Sequence, residues 1–274
     1  MRAKIIAVTN RKGGVGKSTM SSHIAAGLAH KGYNIGLIDT DSQGHGGMMV
    51  GMRPADSLFD LLIQKKSLED VVRLVPRENY TTNDESGTLL LIPSAERTYQ
   101  IPYMLQQDES FLFLEKMEEF AERGKLDYII IDTNPSLSLF DGSIYLAADA
   151  FVYVTECETM SMQGVRKAFE QMKRFGAQRQ KYLNRESRIL GILPNKFRNK
   201  TLIHQRNVDA LRDTFGDLVW EPVTLRTIWT EASNFFQPVF MIAPESNAAA
   251  DAMRIVNSTE RSLKQWQNQP ENNA

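Results

Sequence analysis

The chain has 274 residues, of which 42% are hydrophobic and 24% charged, and its formal net charge is −1. This composition is typical of a soluble globular protein with a full hydrophobic core. The single cysteine excludes a disulfide framework within the chain, and no apolar run approaches the ~20 residues that cross a bilayer. With no visible signal peptide, the sequence predicts a cytoplasmic protein.

The first predicted elements are a strand, a glycine-rich loop and a helix. The apolar run Ile5–Val8 is followed by Asn-Arg-Lys-Gly-Gly-Val-Gly-Lys-Ser-Thr at residues 10–19, and a helix is predicted over Lys17–His30. This order is the context in which a glycine-rich loop binds phosphate, because backbone N–H groups and the helix dipole then face the anion. A solvated turn is the alternative, and the flanking strand and helix disfavour it.

Within this loop, residue types predict particular roles. The glycines permit close approach of the backbone, Lys17 would reach the β- and γ-phosphates, and the Ser18 hydroxyl would ligate Mg²⁺. These residues alone leave ATP and GTP both open. The predicted nucleotide-binding residues of the loop are Lys12, Gly13, Gly14, Val15, Gly16, Lys17, Ser18 and Thr19.

One position departs from the ordinary phosphate-loop pattern. Glycine is expected at position 11, where this chain has Arg11, and a second lysine, Lys12, follows it. Lys12 stands too early in the loop to duplicate Lys17. Such an extra cation could serve the same nucleotide, or a nucleotide that a second subunit holds.

Strand-length apolar runs alternate with helical periods along the chain. Strands are predicted at Ile5–Val8, Ile35–Asp39, Leu89–Ile92, Tyr128–Asp132, Phe151–Val154 and Ile189–Leu193. Helices are predicted at Lys17–His30, Ser57–Gln64, Phe111–Glu122, Ser138–Ala147, Ser161–Gln178, Leu202–Phe215 and Asn247–Trp266. The alternation predicts an α/β fold with a doubly wound, mostly parallel sheet and helices on both faces. We expect a single domain over residues 1–267 and a flexible tail at 268–274.

Two predicted strands end in an aspartate, at the edge where ligands bind in such sheets. Asp39 closes the second strand, and Asp132 closes the run Tyr128–Ile131, which has the shape of a Walker B strand. Their carboxylates are predicted to bind Mg²⁺ through water. Asp41 lies two residues beyond Asp39, so on an extended segment both would point to the same side. One of the two could orient or deprotonate an attacking water.

Three motifs together resemble the ParA/MinD family of deviant Walker A ATPases. Lys12–Thr19 matches the family loop, including its signature lysine, while Asp39–Gly44 is similar to D-x-D-P-Q-G and Asp132–Leu137 to D-x-P-P-S-L. Serine and asparagine replace one proline in the second and third motifs. Weaker similarity continues through Thr230–Ala232, which resembles S-E-A, and Gln237–Val239. The resemblance spans residues 3–242.

The resemblance implies a P-loop ATPase that uses ATP and Mg²⁺ and forms a face-to-face homodimer when ATP binds. Lys12 would contact the phosphates of the partner subunit, and Lys17 those of its own subunit. Ser18 and the Walker B residue Asp132 would serve Mg²⁺, and Asp41 would activate the water. Asn195 stands where the family often reads adenine, although an asparagine at a strand end is as often a turn former.

Charge is unevenly distributed along the sequence. Residues 166–206 contain twelve lysines and arginines against two glutamates, a local charge of +10, so the remainder carries −11. Such a stretch can be a solvated face, a docking surface for an acidic protein or a DNA-binding surface. ParA-like members bind DNA without sequence preference, which implies a nucleoid-associated protein. The predicted DNA-binding residues are Arg166, Lys167, Lys173, Arg174, Lys196, Arg198, Lys200 and Arg226.

The resemblance implies slow ATP hydrolysis, stimulated by a centromere-binding or cargo-adaptor protein, that segregates or positions a plasmid, a chromosome or a protein assembly. The alternative is a MinD-like, membrane-associated regulator of cell division. We expect no membrane anchor, because Met253, Val256, Leu263 and Trp266 would be used in packing the last helix. A reductase resembling the nitrogenase iron protein needs two cysteines per subunit, and this chain has only Cys157. A binding module with an inactive site is a further alternative.

Overall fold

The architecture is a seven-stranded sheet with helices on both faces. The computed structural model describes residues 2–106, 109–134, 139–158 and 161–268, with only the backbone described at 139, 161 and 162. The strands are β1 Lys4–Thr9, β2 Ile35–Asp39, β3 Arg73–Leu74, β4 Leu89–Ile92, β5 Tyr128–Asp132, β6 Ala150–Glu156 and β7 Arg188–Asn195.

The strand order across the sheet is β3-β4-β2-β5-β1-β6-β7. Every neighbouring pair is parallel except β3 and β4, which are antiparallel. The predicted doubly wound, mostly parallel sheet is therefore confirmed. All six predicted strands are present, and β3 is an addition. It was not predicted because its two residues, Arg73 and Leu74, are both exposed and form no apolar run.

The longer helices lie close to their predicted positions. They are α1 Lys17–His30, α3 Ser57–Leu62, α6 Leu112–Gly124, α7 Leu139–Ala147, α8 Ser161–Leu183, α9 Leu202–Phe215 and α12 Asn247–Gln267. Five short helices were not predicted: α2 His45–Met48, α4 Leu68–Val71, α5 Ile101–Met104, α10 Ile228–Asn234 and α11 Val239–Ile242. Most of these are single turns, too short for a helical period to show in the sequence.

The sheet separates two hydrophobic layers. On one face, α1 and α12 cover the sheet, with Ile24, Leu28, Val256 and Leu263 among the buried residues. On the other face, α3, α6, α7 and α8 cover it, with Phe59 among their buried side chains. Near-continuous apolar strands such as β5 fit this arrangement, because both of their faces are covered.

The last helix packs against the sheet and α1, as its sequence predicted. Val256 and Leu263 are buried, while Met253 and Trp266 are half-buried. Its approach to α1 is close, since a Cβ at Gly27 would lie 2.3 Å from the Val256 side chain. Within the described residues, no helix is long and apolar enough to cross a membrane. Apart from residue 268, the predicted tail lies outside the described residues.

Helix α8 ends five residues later than predicted. Its apolar stripe includes Val165, Phe169, Met172 and Phe175, and the same face continues with Arg179 and Leu183. Arg179 is fully buried and donates to the Ala148 carbonyl and the Asp149 carboxylate. The sequence pattern missed this extension because an arginine fills a core position and is neutralised there by an aspartate.

Candidate nucleotide-binding site

The predicted phosphate loop lies at the carboxyl edge of the sheet, between β1 and α1. Helix α1 begins at Lys17, directly after Gly16, whose φ is 100°. Gly14 has a φ of 75°, so both glycines adopt the left-handed conformation that side chains rarely take. The Asn10 side chain joins the loop to β6, because its Nδ2 donates to the Val154 carbonyl and its Oδ1 accepts the Lys12 N–H at 2.9 Å.

Lys17 is buried within the loop. Its Nζ lies 3.3 Å from the Lys12 carbonyl, so the side chain folds back over the loop. Burial lowers the pKa of Lys17, and the charges of Asp132 and Asp41 oppose that shift. Lys17 therefore lies close enough to Asp132 and Asp41 for their charges to interact.

A pair of buried aspartates closes the site beneath the loop. Asp39 and Asp132 are register partners at the ends of β2 and β5, and both are fully buried. Asp39 accepts the N–H groups of Asp41 at 3.0 Å and Gly47 at 3.1 Å. Burial raises the pKa of both carboxyls, and the Asp39 charge raises that of Asp132 further. Two carboxylates at this depth disfavour each other's charged form.

Asp132 is the less satisfied of the two. Neither of its oxygens accepts a hydrogen bond of ordinary geometry from a described residue, although the Ser18 and Ser21 hydroxyls are close enough to lower its pKa in part. A Cβ at Gly46 would lie 3.0 Å from an oxygen of Asp132 and 3.0 Å from an oxygen of Asp39. Both carboxylates therefore lie close to Gly46, where a larger residue would crowd them.

This donor set fits a magnesium ion bound together with phosphates. A buried carboxylate without a partner is costly unless a cation compensates it, and Mg²⁺ prefers hydroxyl and carboxylate oxygens. No group of three or more His, Cys, Asp or Glu residues that could hold a metal occurs in the part of the chain that the structure describes. Magnesium commonly needs only one or two protein ligands when phosphates and waters supply the rest.

The predicted geometry of Asp41 was wrong. Strand β2 ends at Asp39, and the chain then turns, with the Asp41 N–H donating to the Asp39 carboxylate and the Gln43 N–H donating to the Asp41 carboxylate at 3.1 Å. The segment is not extended, so the two-residue alternation does not apply. The turn keeps Asp41 half-buried and close enough to Lys17 for their charges to interact. Its catalytic role stays a prediction.

Lys12 differs sharply from Lys17 in its surroundings. Its side chain is 56% exposed and forms ion pairs with Glu156 and with Glu158, the latter at 3.1 Å. Hydrogen bonds to these two carboxylates raise the pKa of Lys12. In this subunit, the signature lysine therefore points away from its own phosphate loop and toward acidic side chains at the end of β6.

The end of β7 contacts the loop from the outside. The Asn195 side chain donates to the Val15 carbonyl at 2.7 Å, and a Cβ at Gly16 would collide with it at 2.3 Å. A cavity of about 190 Å³ opens beside these residues, and Thr19 and Trp229 also line it. The position of Asn195 agrees with a place at the nucleotide, and its role in reading the base stays a prediction.

The predicted DNA-binding residues divide into two groups. Six of them are exposed: Arg166, Lys167, Lys173 and Arg174 on α8, and Arg198 and Lys200 in the loop after β7. The other two are half-buried and engaged, since Lys196 contacts Gly14 and Glu156, and Arg226 forms an ion pair with Asp251. The twelve lysines and arginines of residues 166–206 also overstate the charge that could contact DNA, because Arg179 is buried in its ion pair with Asp149.

Sequence reasoning missed three residues that shape this site: Asn10, Gly46 and Glu156. Glu156 ends β6 at the same edge as the other site residues, so the strand-end rule applied to every strand would have found it. Asn10 directly precedes the glycine-rich loop and could be noted from position alone. Gly46 carries no signal in a single sequence, because its importance comes from its contact with two carboxylates.

Comparison with known proteins places this chain among partition and positioning ATPases. A family profile described as an AAA domain matches residues 3–186. The chromosome-partitioning ATPase Soj of Thermus thermophilus is 30% identical over 260 residues, which covers 93% of this chain and 95% of that protein. The sporulation initiation inhibitor protein Soj of Bacillus subtilis is 28% identical over 255 residues, covering 90% of this chain and 94% of that protein.

Solved structures share the fold. Apo McdA from Cyanothece superimposes with a TM-score of 0.78 at 17% identity, covering 96% of this chain and all of that one. The septum site-determining protein MinD of Pyrococcus horikoshii, complexed with Mg-ADP, gives a TM-score of 0.75 at 18% identity, covering 98% of this chain and 100% of that one. At these identities the likeness concerns the fold.

Proposed function

The chain belongs to the AAA-domain family and, within it, to the ParA/MinD group of deviant Walker A ATPases, and from this premise we propose that it is a ParA-like ATPase. In this proposal, ATP joins two copies in a sandwich dimer that binds DNA without sequence preference. A centromere-binding or cargo-adaptor protein stimulates hydrolysis. The cycle segregates or positions a plasmid, chromosome or protein cargo.

The observation that carries the proposal is the unsatisfied carboxylate of Asp132, buried beside Asp39 and the phosphate loop. Ser18, Asp39 and Asp132 would hold Mg²⁺ with the nucleotide. When bound, this ion would neutralise charge on the β- and γ-phosphate oxygens. Lys17 would bind the same phosphates, and its buried ammonium, 3.3 Å from the Lys12 carbonyl, supports this role.

Asp41 is proposed to orient the water that attacks the γ-phosphate. Its carboxylate is half-buried at the turn after β2, and carboxylate oxygens accept hydrogen bonds from water. The hydrogen bonds from the Asp41 N–H to the Asp39 carboxylate and from the Gln43 N–H to the Asp41 carboxylate stabilise this turn. The proposal therefore separates the residue that positions water from the carboxylates that serve the cation.

Lys12 is proposed to contact phosphates of the partner subunit. Its exposed side chain lies at the edge of the site, where a second copy facing the loop would meet it. Contact with the nucleotide of the partner requires Lys12 to leave Glu156 and Glu158. Dimerisation would then depend on Lys12, whereas nucleotide binding by a single subunit would not.

DNA binding is proposed for the exposed cations of α8 and of the loop after β7. Phosphate contacts supply most non-specific affinity, and these six side chains stand on the surface. The resulting protein would act in the cytoplasm on the nucleoid. The MinD-like alternative finds no support in α12, whose apolar residues pack against the sheet and α1.

The proposal is tested by a DNA shift assay with ADP, with ATP and without nucleotide, using wild type and Asp41→Ala. We expect ATP alone to promote binding in the wild type, and Asp41→Ala to bind DNA with ATP while phosphate release falls to background. Equal DNA binding in all three nucleotide conditions would contradict the ATP-dependent dimer. Unchanged phosphate release would remove Asp41 from its role.

A further inference from the structure

Lys196 contacts the phosphate loop itself. Its Nζ lies 2.5 Å from the Gly14 carbonyl oxygen and 3.0 Å from a carboxylate oxygen of Glu156. The preceding residue, Asn195, holds the next carbonyl of the loop, that of Val15, at 2.7 Å. Two adjacent residues at the end of β7 thus hold two successive carbonyls of the loop.

These two contacts fix the direction of the backbone amides. In a trans peptide the C=O and N–H groups point in opposite directions. With the Gly14 carbonyl held toward Lys196, the Val15 N–H points to the other side, and the Val15 carbonyl bonded to Asn195 likewise turns the Gly16 N–H away. Successive N–H groups on one side form a concave anion-binding site. The contacts therefore orient the donors that a phosphate would use.

The backbone after β7 brings Lys196 into this position. Lys196 has a φ of 56°, a left-handed conformation that is uncommon for a lysine, and its N–H donates to the Asn195 side chain at 2.8 Å. Glu156 is the register partner of Asn195 on β6. The carboxylate therefore lies directly beside the turn that Lys196 makes.

Glu156 holds the ammonium in place by charge. Its side chain is 14% exposed, and it pairs with both Lys196 and Lys12. Burial alone would raise the pKa of Glu156, but the hydrogen bonds from the two lysines outweigh burial and lower it. Glu156 therefore stays charged at neutral pH. It contacts both Lys196, which holds the loop, and the exposed signature lysine, Lys12.

We propose that Lys196 is a positioning residue of the phosphate loop, held by Glu156, and not a contact to DNA. This inference rests on the proposed function only in taking a nucleotide phosphate as the ligand of the loop. It revises the prediction from sequence, in which Lys196 was grouped with Arg198 and Lys200 because all three lie in one basic stretch. Exposed Lys200 remains with the DNA-binding surface.

The test compares Lys196→Met with Lys200→Met, a matched change in the same loop, and with the conservative variant Lys196→Arg. Amide hydrogen exchange of residues 10–20 is measured without nucleotide, affinity is measured with a fluorescent ADP analogue, and the salt dependence of DNA binding is measured at saturating ATP. A charge-assisted hydrogen bond of this kind is worth about a tenfold change in an equilibrium constant.

We expect Lys196→Met to increase loop exchange and to weaken ADP-analogue affinity, each by about tenfold, and Lys196→Arg to restore most of both. Lys200→Met should leave loop exchange and affinity unchanged and make the salt dependence of DNA binding shallower. Glu156→Gln, which keeps the size of the side chain, should change loop exchange in the same direction as Lys196→Met and by less.

Loop exchange and ADP-analogue affinity equal to wild type in Lys196→Met would overturn the inference. So would a salt dependence of DNA binding that becomes as shallow in Lys196→Met as in Lys200→Met. Melting temperatures of all variants accompany the measurement, because a local role predicts values close to wild type. If the wild type bound no nucleotide, the proposed function would fail. The exchange measurement would still decide whether Lys196 orders the loop.

Discussion

The phosphate-loop edge and the outer face of α8 carry the two predicted activities, and they are built in opposite ways. At the loop edge, Lys17, Asp39 and Asp132 are buried, and Asp132 interacts electrostatically with both of the others. On α8, Lys167 and Lys173 are exposed. The first region depends on exact placement in a medium of low dielectric, and the second depends on summed charge in water.

This difference decides how substitutions act. Removing one group from the buried region changes the balance of closely placed charges, so the effect of a single change, whether loss or gain, is large. In the proposed DNA complex, removing one exposed cation would remove one phosphate contact among several, so the expected effect is graded and depends on salt.

The largest effect is expected for Lys17→Ala. This change removes the only ammonium buried within the loop among the described residues, and we expect at least about a 100-fold loss of nucleotide affinity. Isothermal titration with ATP and Mg²⁺ measures it. Lys181→Ala, an exposed lysine of α8, is the control and should bind as wild type does. Affinity within threefold of wild type for Lys17→Ala would contradict the assignment.

Asp132→Asn should separate stability from function. The buried carboxylate has no hydrogen-bond partner of ordinary geometry, so replacing it with a neutral amide should raise the melting temperature of the nucleotide-free protein by a few degrees. The same change should abolish the further rise that Mg²⁺ adds in the presence of ATP. Thermal denaturation with ATP, with and without Mg²⁺, measures both effects, and a preserved Mg²⁺-dependent rise would remove Asp132 from the cation site.

A graded effect is expected on the outer face of α8. Lys167→Ser/Lys173→Ser should lower the slope of log affinity for DNA against log salt by about two, if each lysine contacts one phosphate. Nucleotide affinity should stay unchanged. Lys66→Ser/Lys125→Ser removes two exposed cations elsewhere and is the control. Equal slopes for both double variants would mean that DNA is bound on another surface.

The smallest effect concerns pH and the helix that follows the loop. His23 is fully buried, its Nδ1 contacts the Thr19 carbonyl, and its Nε2 accepts the Val239 N–H at 2.8 Å. Burial lowers the pKa of His23 to about 4, below its usual 6.5. Between these pH values the unfolded chain binds a proton at His23 that the folded protein does not bind. The free energy of unfolding therefore falls as pH drops from 6.5 toward 4.

Between pH 6.5 and pH 5, burial of neutral His23 should lower the free energy of unfolding by about 1.6 kcal/mol. Urea denaturation of wild type and His23→Gln at the two pH values measures the difference. The variant should be less stable at pH 6.5 and should lose less on acidification. An equal loss in both proteins would assign the pH dependence to other groups.

Sequence predicted the parts of this molecule that depend on local order along the chain. The strand–loop–helix around Lys17 and the strands ending in Asp39 and Asp132 lie where motif spacing placed them. The placement of Lys196 against Gly14 could not be read in the same way. That contact joins residues 182 positions apart, and a basic stretch looks the same whether one of its members is exposed or engaged.

The same limit explains Arg179 and Asp41. A charged residue in a core position hides the continuation of α8, because its partner Asp149 is distant in sequence. The turn at Asp41 depends on a hydrogen bond to the Asp39 carboxylate, which a count of residues along a strand ignores. Contacts between side chain and backbone, more than propensity, decided where sequence-based prediction failed.

In the proposed dimer, Lys12 joins two nucleotide-bound subunits. Light scattering of Asp41→Ala and Asp41→Ala/Lys12→Ala with ATP and Mg²⁺ tests it directly, since slow turnover should preserve the assembly. We predict a mass near twice 31.1 kDa for the first protein and near 31.1 kDa for the second, with nucleotide affinity of the monomer largely retained. Equal masses for the two proteins would contradict the claim.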